Sequence, residues 1–175
     1  MYNIILIGFM GCGKSSLGCR LSYQHQLPFI DTDKYIEQQQ KQTVAEIFAQ
    51  AGEPYFRQLE TEALEQLCCH KVKTIIAVGG GLPMRAENRR LLHKLGCVIY
   101  LRASAEILYD RLQHDTTRPL LQGTNPKQTI IDLLAQRAAI YEKTADIVIE
   151  VDGYNGEQIA TQIWEAIEQY EPISD

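Results

Sequence analysis

Eight residues near the start of the chain, Gly8-Phe9-Met10-Gly11-Cys12-Gly13-Lys14-Ser15, leave few folds open. They match GxxxxGK[ST], follow the apolar run Asn3 to Ile7 and precede a helical pattern carrying Leu17 and Leu21. Strand, turn and helix in that order are the context in which such a segment cradles phosphate. Its glycines let backbone N–H groups turn inward around phosphate oxygens, and the helix N-terminus adds partial positive charge. Lys14 then reaches the β and γ phosphates of a nucleotide, and the Ser15 hydroxyl ligates Mg²⁺. The alternative is a glycine-rich turn that merely precedes Lys-Ser, and the flanking strand and helix argue against it. Cys12 and Cys19 beside the loop read as small apolar packing.

The rest of the chain repeats that alternation. Short β-rich runs at Asn3 to Ile7, Phe29 to Ile30, Thr74 to Val78, Val98 to Leu101 and Ile147 to Val151 are separated by helix-length intervals, the signature of a parallel sheet covered by helices. Strands buried on both faces read as continuous Ile, Leu and Val, as these do. The fold class is α/β. Thr43 and Glu46 form a potential capping box, Gly52 marks a helix end, Pro83 suits a first turn and Asn155 can cap a C-terminal helix ending near Tyr170. The stretch from His114 to Lys127 is rich in Thr, Pro, Gly and Asn without clear periodicity and is expected to form a mobile flap.

Length and charge narrow the partners. A chain of 175 residues with 45% hydrophobic residues fits one domain with a continuous core. With 17 basic against 22 acidic residues, a nucleic-acid surface is not expected. The five cysteines lack metal-ligand spacing and read as reduced thiols, and no apolar run reaches the length of a membrane span. A cytoplasmic protein is therefore expected, and a monomer fits the absence of any coiled-coil pattern.

Several residues beyond the loop carry acceptor chemistry. Asp31 and Asp33 follow the second strand; in extended chain an i, i+2 pair points to one side, so one carboxylate can face a metal and the other an acceptor. Helix capping is the competing use of the pair. Arg57 and Glu60 lie three apart on a helical pattern, where the acid can orient the guanidinium. Gly79-Gly80-Gly81 permits close approach of backbone to a ligand. Arg118 lies in the flap and can reach a migrating phosphoryl group, Arg137 can clamp a carboxylate bidentately, and Arg111 can lie over an adenine ring. For each arginine alone plain solvent exposure is the default reading; together they point to a small-molecule phosphotransferase.

The ordered set IGFMGCGKS, FIDTD, FRQLE, VGGG, YLRAS, RPLL and QRAAIY to ADIVIEV closely resembles the shikimate kinase family, from the first strand to about Asn155. The resemblance implies a three-layer P-loop kinase fold similar to nucleoside monophosphate kinases, with a central five-stranded parallel sheet flanked by helices. It implies one domain over residues 1–175, with a substrate-binding helical region at about 33–61 and a lid at about 114–126. It implies that Asp33, Arg57, Gly80 and Arg137 bind shikimate, with Gly79 and Gly81 shaping the pocket. Gly11, Cys12, Gly13, Lys14, Ser15, Ser16, Arg111 and Arg118 would bind ATP as co-substrate, Ser15 and Asp31 would hold Mg²⁺, and Lys14, Asp33 and Arg118 would be catalytic. Cys12 and Ser16 depart from the family's commoner residues, and the loop from Asp152 to Asn155 does not align. The rivals are another small-molecule kinase of this fold and a GTPase-like switch. VGGGLP stands where a nucleotide-monophosphate acceptor favours a DGFPR-like segment, and no NKxD guanine-reading motif occurs.

Overall fold

The computed structural model describes residues 2–113 and 125–170. Five strands form one parallel sheet: β1 (Asn3–Ile7), β2 (Phe29–Asp31), β3 (Ile75–Ala77), β4 (Gly96–Arg102) and β5 (Ile147–Glu150), in the spatial order β2-β3-β1-β4-β5. Parallel neighbours require long crossovers, and helices supply them. These are α1 (Lys14–His25), α2 (Thr32–Gln40), α3 (Val44–Leu67), α4 (Ala86–Leu95), α5 (Ala105–Leu112), α6 (Pro126–Thr144) and α7 (Gly156–Glu168), with a short 3₁₀ turn at Leu82–Met84. Helix α1 packs on α7 and on β1, β2 and β3, whereas α4 packs on α3, β1 and β4. The sheet is thus flanked by helices, as its buried Ile, Val and Leu runs require.

Ile4 to Ile7 and Cys97 to Leu101 are almost wholly removed from solvent, which explains their unbroken apolar character. On the edge strand β5, Val148 and Glu150 face outward while Ile149 is buried. Strand β4 begins at Gly96, earlier than its apolar run, because Gly96 pairs directly with Asn3 of β1. A second, smaller cluster of Ile36, Ile47, Phe56, Leu59 and Ala63 joins α2 to α3, apart from the main core.

Order 2-3-1-4-5 places the chain reversal at β1. The connection from β1 leads to one side of the sheet and that from β3 crosses to the other, which opens a crevice beyond the carboxyl ends of these two strands. The phosphate-loop motif follows β1, the glycine triplet follows β3 and Asp31 ends β2, so three neighbouring strands deliver their chemistry to one rim.

Capping chemistry sets the helix that borders this rim. Thr43 Oγ1 accepts from the Glu46 N–H at 3.2 Å, and the Glu46 carboxylate accepts from the Thr43 N–H at 2.7 Å. Gly52, at φ 78° and ψ 171°, then breaks α3 into two helical pieces before Pro54. Asn155 closes a similar box at α7. Pro83, by contrast, enters the 3₁₀ turn, and α4 starts only at Ala86. Among the described residues no helix is long and apolar enough to cross a membrane. Replacing Thr43 with Ala should lower unfolding stability by about 1 kcal/mol. A urea midpoint equal to that of the parent protein would show that the box contributes nothing to α3.

Candidate active site

The phosphate loop is held in shape before any ligand is considered. Gly11 and Gly13 adopt φ of 80° and 105°, left-handed values that a side chain rarely tolerates, and they turn the chain into the first residue of α1. Lys14 folds across the loop and donates to the carbonyls of Gly8 at 2.8 Å and Phe9 at 3.0 Å. Arg111, from α5, braces the outside by donating to the carbonyls of Gly11 and Cys12, each at 3.2 Å. Cys12 is fully buried beneath the loop, its Sγ 3.8 Å from Lys14 Nζ, while Ser16 stays exposed at the start of α1. Ser15 Oγ donates to Asp31 Oδ2 at 2.5 Å, which brings two hard oxygen donors together beside the loop lysine.

Asp31 also caps α2. Its Oδ1 accepts from the backbone N–H groups of Asp33 at 3.0 Å and Lys34 at 3.3 Å. This alters the expected geometry of the Asp-Thr-Asp segment: only Asp31 is extended, and Asp33 lies in the first turn of α2. The two carboxylates part company as a result. One faces Ser15, and the other faces the glycine triplet.

Gly79, Gly80 and Gly81 form the wall on which the remaining groups meet. A Cβ at Gly79 would lie 2.7 Å from Glu60 Oε1 and 2.9 Å from Asp33 Oδ1, and one at Gly81 would lie 2.5 Å from Arg57 Nη2. One at Gly80 would come within 3.3 Å of the Gly8 carbonyl and the Met10 nitrogen, so this residue abuts the phosphate loop itself. From α6, Tyr141 donates its hydroxyl to the Gly80 carbonyl at 2.5 Å, and the guanidinium of Arg137, one turn earlier, lies 5.8 Å from the Phe9 ring centroid. Asp33, Arg57 and Tyr141 therefore meet on one short stretch of backbone, with Arg137 one turn from Tyr141 along α6 and beside Phe9 of the phosphate loop. Arg118 lies outside the described residues.

Sequence reading undervalued Glu60. It holds Arg57 through a 2.8 Å ion pair, but its side chain is 0% exposed and its Oε1 has no hydrogen-bond partner among the described residues. Burial pushes its pKa up to about 7, against the opposing pull of Arg57. Burial alone would weaken the Arg57 charge, yet Glu60 and Glu53 more than offset this and raise its pKa above the usual arginine value. Behind the pair, Thr61 donates to Asn88 at 2.8 Å, and the fully buried Asn88 donates to the Leu82 carbonyl at 2.9 Å, tying α3 to the end of the glycine segment. Nothing in local sequence signals Asn88. Tyr141 was legible, since it stands four residues after Arg137 on a helix and so shares its face.

The chain is similar to known proteins over nearly its full length. The family model described as shikimate kinase matches residues 10–168. The shikimate kinase of Thermodesulfovibrio yellowstonii is 41% identical over 175 residues, covering 100% of this chain and 98% of the relative. That of Trichormus variabilis is 45% identical over 166 residues, covering 94% and 90%. The structure of shikimate kinase from Acinetobacter baumannii in complex with shikimate superposes with a TM-score of 0.91 at 36% identity, covering 97% of this chain and 94% of that one.

The buried acid has a measurable signature. A glutamate raised from 4.5 to about 7 holds its proton in the folded protein after the unfolded chain has lost it. The folded state thus binds more protons in that window, and stability falls as pH rises through it and levels off above it. Glu60→Gln should flatten this part of the profile, read as urea midpoints from about pH 5 to about pH 8. Persistence of the full parental slope in the Gln variant would assign it to another group.

Proposed function

The chain belongs to the shikimate kinase family, and we propose that it transfers the γ-phosphoryl group of ATP to the 3-hydroxyl of shikimate, giving shikimate 3-phosphate and ADP, a step of aromatic amino acid biosynthesis. The observation that carries the site assignment is the meeting of Asp33, Arg57 and Tyr141 on Gly79 to Gly81, whose middle residue abuts the phosphate loop, with Arg137 one turn from Tyr141 and beside Phe9 of that loop. A wall with guanidinium groups on either side suits a small carboxylate-bearing ring, and its contact with the loop sets that ring against a triphosphate.

In this reading Arg57 and Arg137 hold the shikimate carboxylate and fix the ring, because a planar guanidinium matches a carboxylate with two parallel hydrogen bonds. Asp33 accepts hydrogen bonds from ring hydroxyls. As the 3-hydroxyl oxygen bonds to the γ-phosphorus, the bond from that phosphorus to the β,γ-bridging oxygen breaks, ADP departs and the hydroxyl proton passes to Asp33. The phosphoryl transition state is loose, so positioning and charge stabilisation carry most of the rate, and full deprotonation beforehand is unnecessary. Lys14 leaves its loop carbonyls to meet the β and γ phosphates, while loop N–H groups from Gly11 to Ser16 cradle them. Arg111 borders the adenine side, and Arg118, within the proposed lid at 114–126, completes the charge on the migrating group.

Ser15 and Asp31 would hold Mg²⁺, Asp31 through water. Two adjacent hard oxygens beside a phosphate loop fit an ion that keeps several waters and takes its other ligands from phosphate. When bound, Mg²⁺ supplies charge neutralisation across the β and γ phosphates. All five cysteines are free, in keeping with a reducing cytoplasm, and one chain supplies every group named, in keeping with a monomer.

An ADP-release assay against a panel of hydroxy acids and nucleoside monophosphates tests the reading, with GTP run in parallel to ATP. ADP should appear with shikimate and ATP; silence with shikimate would overturn the assignment. Asp33→Asn should lower kcat about 10²- to 10⁴-fold with little change in the KM for ATP. Near-normal turnover in that variant would remove Asp33 from the proton path.

A further inference from the structure

None of the groups assigned above to nucleotide or acceptor comes from α4, yet the start of that helix reaches both α3 and the glycine segment. Asn88, in the first turn of α4, is fully buried. Its Oδ1 accepts from the Thr61 hydroxyl of α3 at 2.8 Å, and its Nδ2 donates to the Leu82 carbonyl at 2.9 Å. Leu82 directly follows Gly81, and its own N–H donates to the Gly79 carbonyl at 3.0 Å. On the α3 side, Arg85 Nη1 donates to Thr61 Oγ1 and to the Arg57 carbonyl, each at 3.1 Å, and a 3.0 Å ion pair with Glu87 steadies it. Each partner matches what a carboxamide can offer: its oxygen takes a hydroxyl proton and its nitrogen gives one to a carbonyl. At 0% exposure, solvent cannot replace either bond.

We propose that Asn88 is a positioning residue for the acceptor: its amide joins the part of α3 that carries Arg57 to the segment ending the glycine wall, and so sets the guanidinium at one height over Gly81. This rests on the functional reading above and adds to it a residue that touches neither substrate. Glu53 and Glu60 hold the guanidinium itself, but both ride on α3 with it and so cannot set the distance from that helix to the wall. The Asn88 amide spans the two elements. The fit it maintains is close, since a Cβ at Gly81 would lie 2.5 Å from Arg57 Nη2, and a small displacement of α3 moves the fork off the wall. With the link cut, the ordering must be supplied when the acceptor binds, which weakens acceptor affinity and leaves nucleotide affinity intact.

The test uses the full chain with Asn88→Asp, Thr61→Val and Thr61→Ser, and with Thr61→Val combined with Arg57→Lys beside Arg57→Lys alone. KM and kcat are measured for shikimate and for ATP well below the unfolding midpoint, which is recorded for each variant. Thr61→Val keeps the shape of the side chain and removes the hydroxyl that feeds the amide. The KM for shikimate should rise about fivefold while the KM for ATP stays within about twofold. Thr61→Ser restores the hydroxyl and should return the shikimate KM to within about twofold of the parent. Asn88→Asp removes the donor to Leu82 and should raise the shikimate KM at least as far as Thr61→Val; should it fail to fold, the two Thr61 variants decide. With the fork removed by Arg57→Lys, adding Thr61→Val should change the shikimate KM by less than about twofold, while the midpoint falls as it does in the parent background. A shikimate KM within about twofold of the parent in Thr61→Val, or in a folded Asn88→Asp protein, would overturn the proposal. So would failure of Thr61→Ser to restore it, an equal fold-change in the Arg57→Lys background, or a parallel rise in both KM values, since each assigns the link to packing. Normal parental turnover alongside any of these results sinks the positioning role and leaves the kinase reading standing. Failure of the parent protein to turn over shikimate sinks both.

Discussion

Three successive residues without side chains, at the exit of the strand next to the phosphate loop, are the constraint on which the site depends. Gly79 lies against two carboxylates, Gly80 against the loop backbone and a phenol, and Gly81 against a guanidinium. Any side chain at these points would occupy space already taken by Glu60, Asp33, Gly8 or Arg57, so the absence of Cβ atoms is what lets elements from α2, α3, α6 and the phosphate loop share one small volume. The sheet order makes this possible, because β1 and β3 are hydrogen-bonded neighbours whose carboxyl ends open into the same crevice.

Around that wall the electrostatics are costly in themselves and useful in place. A fully buried glutamate with one oxygen lacking a hydrogen bond is disfavoured by desolvation, and the Arg57 partner recovers only part of the loss. The ion pair therefore contributes more to orientation than to stability. It keeps Arg57 aimed at Gly81, and the Thr61 to Asn88 to Leu82 chain behind it fixes the turn of α3 on which that arginine rides. Arg137 lies over the ring of Phe9. The two guanidinium groups are thus placed by unrelated means, one by charge and one by a ring face.

Much of this was legible from sequence wherever the determinant was local. The five strands announced themselves because burial on both faces demands unbroken apolar runs, and the phosphate loop because its glycines, lysine and serine are contiguous. The Thr43 box and the Asn155 cap were readable because capping acts over three residues. Legibility failed where contacts are set by tertiary placement. The Asp31–Asp33 pair left an extended dyad and helix capping both open, and it is Asp31 that caps, which turns the chain into a helix at once and sends the two carboxylates to different neighbours. Glu60 was read as the acid that orients Arg57, but nothing near it in sequence tells that α3 presses it against Gly79. The early start of β4 was hidden because Gly96 joins the sheet through its backbone alone.

The small cluster of Ile36, Ile47, Phe56, Leu59 and Ala63 has a consequence for descent as well as for folding. Because α2 and the front of α3 are packed on each other and not on the sheet's main core, a substitution there is absorbed within a few neighbouring side chains. A lineage can accordingly explore new ring-bearing acceptors by remodelling this one corner, while the machinery that handles the triphosphate passes unaltered from ancestor to descendant.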